Sequence, residues 1–265
     1  MTRGSLLHQV LQFFWQECQS LSRLMAMTAA QRWQAIDTAI SKAIEASRLE
    51  AHLYLPPQVL QIEHKRLQQL LNDSLDLECQ RADFSVQDCE KKFNLNLEGL
   101  PLKISVDRID RLADGRLVVI DYKTGNRLDY KSWADARIAE PQLPIYAVLA
   151  LQGQEVAAVC FAKVRSDETR FAGLAAEAGL LPKVCDITEK RSNKVFNDFA
   201  DWAALLDHWQ TSLKAIAAEI KAGEASVLVN KESDLVYCDV LPLLRLAERS
   251  VQFERAQAAM TVASL

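Results

Sequence analysis

The sequence predicts an α/β fold in which a mixed central β-sheet is flanked by helices, with a helical layer at the N-terminus. In residues 1–78, apolar side chains recur at helical spacing, and capping residues or prolines separate the segments. In residues 79–165, short apolar, β-branched runs alternate with turn signals, as strands do. In residues 166–265, helical periodicity returns. We therefore expect one domain with these three parts.

Three amphipathic helices are predicted in the N-terminal part. The first covers residues 4–15 and carries His8 at the edge of its apolar stripe. The second starts at a capping box formed by Thr28 and Gln31, and the third covers about residues 57–75. The apolar residues that define the second helix are Trp33, Ile36, Ile40 and Ile44.

The sheet is predicted from apolar runs bounded by turn residues. Asp114-Gly115 lies between two of these runs and is a strong signal for a β-hairpin. Between the last two runs, residues 141–149 are predicted to be helical, because Pro144 is tolerated only near a first turn. A long amphipathic helix is predicted over residues 198–223. The predicted strands are 84–89, 93–97, 102–112, 116–122 and 156–164.

The hairpin brings two carboxylates together in either of two registers. A two-residue loop would set Asp107 opposite Tyr122, and a three-residue loop would set Asp107 opposite Asp121. Strand alternation places Asp121 and Lys123 on the same face. Neighbouring carboxylates repel, so that one must be protonated or a cation must bind them. Charged residues on a hairpin are also common on a plain solvated face.

Composition limits the classes of protein that fit. No apolar run reaches the ~20 residues of a membrane span, and the first residues do not form a signal peptide, so we expect a cytoplasmic protein. The six cysteines form no Cys-x-x-Cys pair. The net charge is −4, but residues 101–131 and 183–194 are locally basic. A basic rim around an acidic site suits a phosphodiester substrate.

Four motifs together resemble the PD-(D/E)XK nuclease superfamily, and specifically its RecB/AddB-like branch. The motifs are Gly4-x-x-x-His8-x-x-Leu11 on the first helix, Asp107 on one strand, Asp121-Tyr122-Lys123-Thr124 at the end of the next, and Gln142-x-x-x-Tyr146 beyond. The resemblance covers nearly the whole chain and implies a restriction-endonuclease-like core. The sequence departs from the branch at Ile104, where glycine is common.

The resemblance implies roles for the matching residues. His8, Asp107, Asp121 and the main-chain carbonyl of Tyr122 would hold Mg²⁺, for which Mn²⁺ can substitute. Lys123 would assist catalysis. Gln142 and Tyr146 would position the DNA strand.

Many AddB-type relatives also hold an iron–sulfur cluster through cysteines near the C-terminus. Cys238 and Arg245 align with that pattern, whereas Leu235 and Leu244 stand at two cysteine positions. We therefore expect no iron–sulfur cluster.

The function implied is that of a Mg²⁺-dependent deoxyribonuclease, an exonuclease rather than an endonuclease. Its setting would be DNA repair or recombination, as the nuclease part of a helicase–nuclease or beside a helicase subunit. One alternative is a catalytically silent domain that guides DNA, which the intact Asp107, Asp121 and Lys123 disfavour. Another is a two-carboxylate hydrolase such as a glycosidase, which Lys123 and the lack of an aromatic sugar platform disfavour.

Overall fold

The computed structural model describes residues 3–51, 56–125, 128–187, 189, 194–224, 235 and 238–263. The chain divides into two compact units, Met1–Ala218 and Glu219–Leu265. The first unit contains a mixed six-stranded sheet with the strands in chain order across it. This confirms the predicted α/β class. The strands are β1 (Phe84–Leu97), β2 (Leu100–Leu112), β3 (Leu117–Lys123), β4 (Val156–Val164), β5 (Thr169–Ala175) and β6 (Cys185–Asp186).

The sheet is mixed because of two parallel pairs. Strands β1, β2 and β3 form an antiparallel meander, and β4 pairs with β5 in the same way. Strand β3 pairs in parallel with β4, and β5 pairs in parallel with β6. A parallel neighbour requires a crossover, and the chain makes it through the helical turns between Tyr130 and Ala150. Strand β4 is buried along its whole length, as expected for a central strand.

Two strand predictions are corrected. The runs 84–89 and 93–97 are one continuous strand, β1, in which a bulge between Val86 and Asp88 disturbs the alternation. The part 166–265, expected to be helical, also contains β5 and β6. These strands are short, and β5 contains Gly173, where a Cβ would lie 2.2 Å from the carbonyl oxygen of Val159. The close approach of β4 and β5 therefore requires glycine in a strand, which weakens the strand signal in the sequence.

Four helices precede the sheet in the described part of the first unit. The first, third and fourth match the predicted segments, and the short second helix was not predicted. The capping box is confirmed: the Thr28 amide donates to Oε1 of Gln31 (2.9 Å), and the Gln31 amide donates to Oγ1 of Thr28 (3.3 Å). The helices are α1 (Arg3–Cys18), α2 (Leu21–Ala26), α3 (Ala29–Ala51) and α4 (Pro57–Glu78).

These helices cover one face of the sheet. Their buried residues join Val118, Ile120 and Tyr122 of β3 in one apolar core. The predicted stripe of α1 is buried there, but Trp33 of α3 is 44% exposed, so its assignment to the apolar face was wrong. Helical spacing predicts a stripe, and the tertiary packing decides how wide a stripe is covered.

The other face is covered by the crossover and by α6 (Trp202–Ala222). Trp209 of α6 is fully buried, and its indole N–H donates to the carbonyl of Trp133 at 2.9 Å. Short helix α5 (Gln142–Ile145) begins the last part of the crossover and continues as a single π-helical turn at Tyr146–Ala150. Pro144 lies in the first turn of α5, as predicted.

The second unit contains α7 (Leu241–Leu244) and α8 (Leu246–Ala263), separated by Arg245 in a left-handed backbone conformation. All four positions compared with the iron–sulfur pattern, Leu235, Cys238, Leu244 and Arg245, lie among the described residues. The expectation that no cluster is present stays a prediction. None of the described helices combines the length and the apolar character that crossing a membrane requires.

Candidate active site

The turn between β2 and β3 determines which residues face each other at the site. The amide of Leu112 donates to the carbonyl of Arg116 at 2.8 Å, which closes a three-residue loop. Gly115 takes the left-handed conformation that this loop requires, with φ of +91°. Arg108 pairs with Ile120, and the same register continued by one residue sets Asp107 opposite Asp121. The three-residue alternative is therefore the correct one.

Asp121 is buried close to the C-terminal end of β3, beside Lys123. The two residues share a face of the strand, and Nζ of Lys123 lies 2.8 Å from Oδ2 of Asp121. This ion pair is the contact that the described residues make with the buried oxygen. Burial, together with the charge of Asp107, raises the pKa of Asp121 to about 6. Two neighbouring buried carboxylates are a costly arrangement that the single ammonium of Lys123 offsets only in part, and a bound cation would relieve it further.

Asp107 connects α1 to the hairpin. Its Oδ2 accepts a hydrogen bond from the amide of Tyr122 at 2.7 Å and lies 3.3 Å from Nδ1 of His8. Burial alone would lower the pKa of His8, but the hydrogen bond and the charge of Asp107 outweigh it and raise the pKa. The fold therefore brings the histidine of the first helix to the carboxylate on β2, about a hundred residues further along the chain.

Glu90 of β1 is a site residue that the sequence did not reveal. Among the described residues, donor atoms of His8, Glu90 and Asp107 all lie within 4.8 Å of one another. Asp121 is not a member of this compact set. Burial and the charge of Asp107 raise the pKa of Glu90. Glu90 was missed because it falls in the gap left between the two runs that were predicted as separate strands.

Gln142 and Tyr146 lie at the same site, on the other side of Lys123. Nζ of Lys123 donates to Oε1 of Gln142 at 3.4 Å, and Nε2 of Gln142 donates to the hydroxyl of Tyr146 at 2.7 Å. The Tyr146 hydroxyl in turn donates to the main-chain carbonyl of Ser105. Burial raises the pKa of Tyr146, so its hydroxyl stays protonated near neutral pH. The chain of hydrogen bonds from β2 to Lys123 orients the ammonium group.

A buried ionic cluster lies on the other face of the hairpin. Both Arg81 and Arg108 contact the carboxylates of Glu78 and Asp110, at 2.6–2.8 Å. Arg108 also donates to the hydroxyl of Tyr122 at 3.2 Å. The side chain of Tyr122 is thus held in the core, while its backbone amide faces Asp107. The sequence around Asp110 did not reveal this cluster. Two of its members come from elsewhere in the chain: Glu78 from the end of α4, and Arg81 from the loop after it.

The site opens to solvent through a cavity of about 760 Å³, whose lining includes His8, Glu90 and Lys123. Two basic residues at the end of β4 are both paired with carboxylates: Lys163 with Glu168, and Arg165 with Asp167 at 2.7 Å. In the basic segment 183–194, residues 188 and 190–193, which include Lys190 and Arg191, lie outside the described residues.

The donor set fits a divalent cation. Carboxylate oxygens are the ligands that Mg²⁺ and Mn²⁺ prefer, and an imidazole beside them is well tolerated by Mn²⁺. Asp107 lies close to Glu90 and opposite Asp121, and Lys123 supplies one ammonium group to these carboxylates, so the site can accept further positive charge.

Comparison with known proteins identifies the class. The family model of the PD-(D/E)XK nuclease superfamily matches residues 1–242, so the chain belongs to this superfamily. Its members are nucleases that use divalent metals. The crystal structure of SSO0001 is similar at 14% identity, over 87% of this chain and 82% of that one, with a TM-score of 0.30. No curated protein matches the chain.

Proposed function

We propose that this protein is a divalent-metal-dependent deoxyribonuclease that hydrolyses phosphodiester bonds at the site around Asp107 and Asp121. The observation that carries the proposal is their opposition across the hairpin, with Lys123 2.8 Å from Asp121. In this proposal His8, Asp107, Asp121 and the carbonyl of Tyr122 hold Mg²⁺, and Mn²⁺ can replace it. The cation supplies positive charge that lowers the pKa of a water molecule and stabilises charge on the phosphate in the transition state.

The protein's own residues would orient the reacting groups. Lys123, held by Gln142, places an ammonium group beside the carboxylates, where it can orient the attacking water or stabilise developing negative charge. Gln142 and Tyr146 form a chain of hydrogen bonds that connects Lys123 to β2. In this proposal they support the ammonium group and contact the DNA strand. Asp107 is oriented by the amide of Tyr122 and accepts from Nδ1 of His8 when that nitrogen carries a hydrogen.

We assign the protein to the RecB/AddB-like branch and propose an exonuclease that acts in DNA repair or recombination, in the cytoplasm, with a helicase domain or subunit. Two motifs support the branch beyond the superfamily: the histidine of α1, which reaches Asp107, and the Gln142–Tyr146 pair, which reaches Lys123. A phosphodiester substrate also agrees with the open cavity beside these residues.

The test is a time course on end-labelled single- and double-stranded DNA, with Mg²⁺ or with EDTA, and on a closed circular plasmid. We expect Mg²⁺-dependent loss of the linear substrates, stepwise from an end, and an intact circle. Asp121→Asn should show no cleavage. Linear DNA left intact by the folded wild-type protein in Mg²⁺ and in Mn²⁺ would instead favour the catalytically silent alternative.

A further inference from the structure

Strands β1 and β2 extend past the end of β3 as a two-stranded hairpin. They pair with each other as far as Leu97 and Leu100, whereas β3 pairs with β2 only over residues 108–111. We call residues 91–105 the arm. Over the five residues from Ser105 to Leu100 the arm extends roughly 17 Å, at about 3.4 Å per residue. The arm therefore begins at the candidate active site and leads away from it.

One face of the arm is packed against the body of the first unit. Three leucines of the arm join two residues of α6 in an apolar cluster, which residues of the crossover also contact. A two-stranded hairpin is marginally stable by itself, so this packing is needed to hold the arm in place beside the site. The cluster contains Leu97, Leu100, Leu102, Leu213 and Ala217.

The other face of the arm is polar. Six side chains alternate with the apolar set and point to this face, and all of them except Ser105 are exposed. None of the six is acidic or aromatic, and two are lysines. Glu98, the one acidic residue of the arm, lies in the turn. The six residues are Lys92, Asn94, Asn96, Pro101, Lys103 and Ser105.

The two lysines of this face are not paired with carboxylates. Within the described part of the chain neither forms an ion pair, although the charge of Lys92 acts on Glu90. Lys92 stands opposite Ser105, and Lys103 opposite Asn94, so the lysines are diagonal neighbours, about 7–8 Å apart. By contrast, four other cations in or beside the sheet contact carboxylates: Arg108, Arg116, Lys163 and Arg165.

The basic face is continuous with the catalytic cavity. Lys92 lines the cavity together with His8 and Lys123. At the base of the arm, the Ser105 hydroxyl donates to Glu90, which lines the same cavity, at 3.3 Å. A polyanion with one phosphate in the cavity would therefore meet Lys92 first and the rest of the arm next.

We propose that the exposed face of the arm binds the phosphate backbone of the DNA that the catalytic site cleaves. The inference rests on the proposed function and adds the surface along which the substrate lies. Lys92 and Lys103 pair with phosphates, and the amides of Asn94 and Asn96 donate to phosphate oxygens. This positive charge attracts DNA to a chain whose net charge is −4.

The length and composition of the arm define the contact further. Roughly 17 Å corresponds to about five nucleotides along one strand of DNA. The exposed face has no aromatic side chain on which a base could stack, so the arm binds the backbone and does not select a base sequence.

The experiment is a fluorescence-anisotropy titration of an end-labelled, single-stranded oligonucleotide of mixed sequence with the full chain, in EDTA. The double variant Lys92→Gln/Lys103→Gln removes both charges from the exposed face. We expect its Kd at low salt to be at least about tenfold above that of the wild type. The plot of log affinity against log salt concentration should become shallower by about 1.4, which corresponds to the loss of two phosphate contacts on a single strand.

The matched control is Lys42→Gln/Lys214→Gln, which changes the net charge equally at exposed positions of α3 and α6. It should bind the oligonucleotide as the wild type does. Lys92→Arg/Lys103→Arg keeps both charges and should retain the affinity. Thermal melting checks that each variant is folded. Lys103→Gln, compared with Lys214→Gln, decides the question if the double variant does not fold, and its salt dependence should change by about 0.7.

The outcomes distinguish this inference from the proposed function. Wild-type affinity and salt dependence in the folded Lys92→Gln/Lys103→Gln protein overturn the role of the arm alone, as does an equal loss of affinity in the Lys42→Gln/Lys214→Gln control. A wild-type protein that binds DNA through the arm but cleaves none in Mg²⁺ or in Mn²⁺ overturns the proposed function and leaves the arm as a DNA-binding surface. Absence of DNA binding by the wild-type protein at low salt overturns both proposals.

Discussion

The backbone amide of Tyr122 donates to Oδ2 of Asp107 at 2.7 Å, while the Tyr122 hydroxyl accepts from Arg108 on the other face of the sheet. Both the backbone amide and the side-chain hydroxyl of Tyr122 are thus fixed by hydrogen bonds. The amide orients a carboxylate of the site, and the ring is fixed by a fully buried ionic cluster. The site geometry therefore depends on charges that lie in the core and never meet solvent.

Arg108→Met should destabilise the protein strongly, because it leaves the buried carboxylates of Glu78 and Asp110 without one of their two partners. Removing one member of a buried ion pair costs about 3–5 kcal/mol. Urea unfolding followed by circular dichroism measures the loss. Arg111→Met, an exposed change on the same strand, should cost less than about 1 kcal/mol. Equal costs for the two variants would show that the cluster contributes little.

Asp121→Asn should stabilise the metal-free protein above about pH 6. The folded pKa of Asp121 is about 6, above the ordinary value near 4, so between these values the folded state binds more protons than the unfolded state. Its contribution to the free energy of unfolding therefore falls as pH rises through this window, by up to about 3 kcal/mol.

Melting temperatures in EDTA at about pH 4 and about pH 8 test this prediction. The variant should gain stability relative to the wild type mainly at the higher pH. A variant that is equally or less stable at the higher pH would mean that the ammonium of Lys123 already compensates the charge of Asp121 without metal.

Asp107→Asn should lower the pKa of His8. The hydrogen bond and charge of Asp107 raise this pKa against the effect of burial, so their loss leaves burial dominant. A titration of the imidazole resonances by NMR measures the change in metal-free protein. The imidazole resonances of His64, which lies 3.2 Å from Asp37, serve as the internal reference. An unchanged His8 pKa would show that the two side chains do not interact in solution.

Lys123→Ala should separate metal binding from cleavage. The carboxylates and His8 remain, so Mn²⁺ should still bind at about pH 8. DNA cleavage should fall roughly 10²- to 10³-fold, as for the loss of other preorganised electrostatic groups. Cleavage by this variant at the wild-type rate would remove Lys123 from the active site.

Local patterns were sufficient to predict much of the fold. The helices of the N-terminal layer and the hairpin follow from side-chain periodicity and from Asp114-Gly115, because both signals act within a few residues. The register of the hairpin did not follow, since the turn pair is compatible with loops of two or three residues. The bulge near Val86 and the glycine of β5 weakened alternation, so β1 was divided and β5 was missed.

The site was predicted only where it coincides with short motifs. Asp107, Asp121 and Lys123 come together through one hairpin, whereas Glu90 joins them through the pairing of β1 and β2. The ionic cluster forms because the fold brings Glu78 of α4 into contact with Arg108 of β2. Such contacts depend on tertiary packing, so they cannot be predicted from the pattern of residues within one segment.

The most direct test of the central claim is the position of Mn²⁺ in a crystal of the wild-type protein, located from its anomalous scattering. We expect a peak between β2 and β3 that both Asp107 and Asp121 coordinate, and its loss in Asp121→Asn. A peak elsewhere that neither carboxylate touches, from protein that still cleaves DNA, would contradict the assignment of the site.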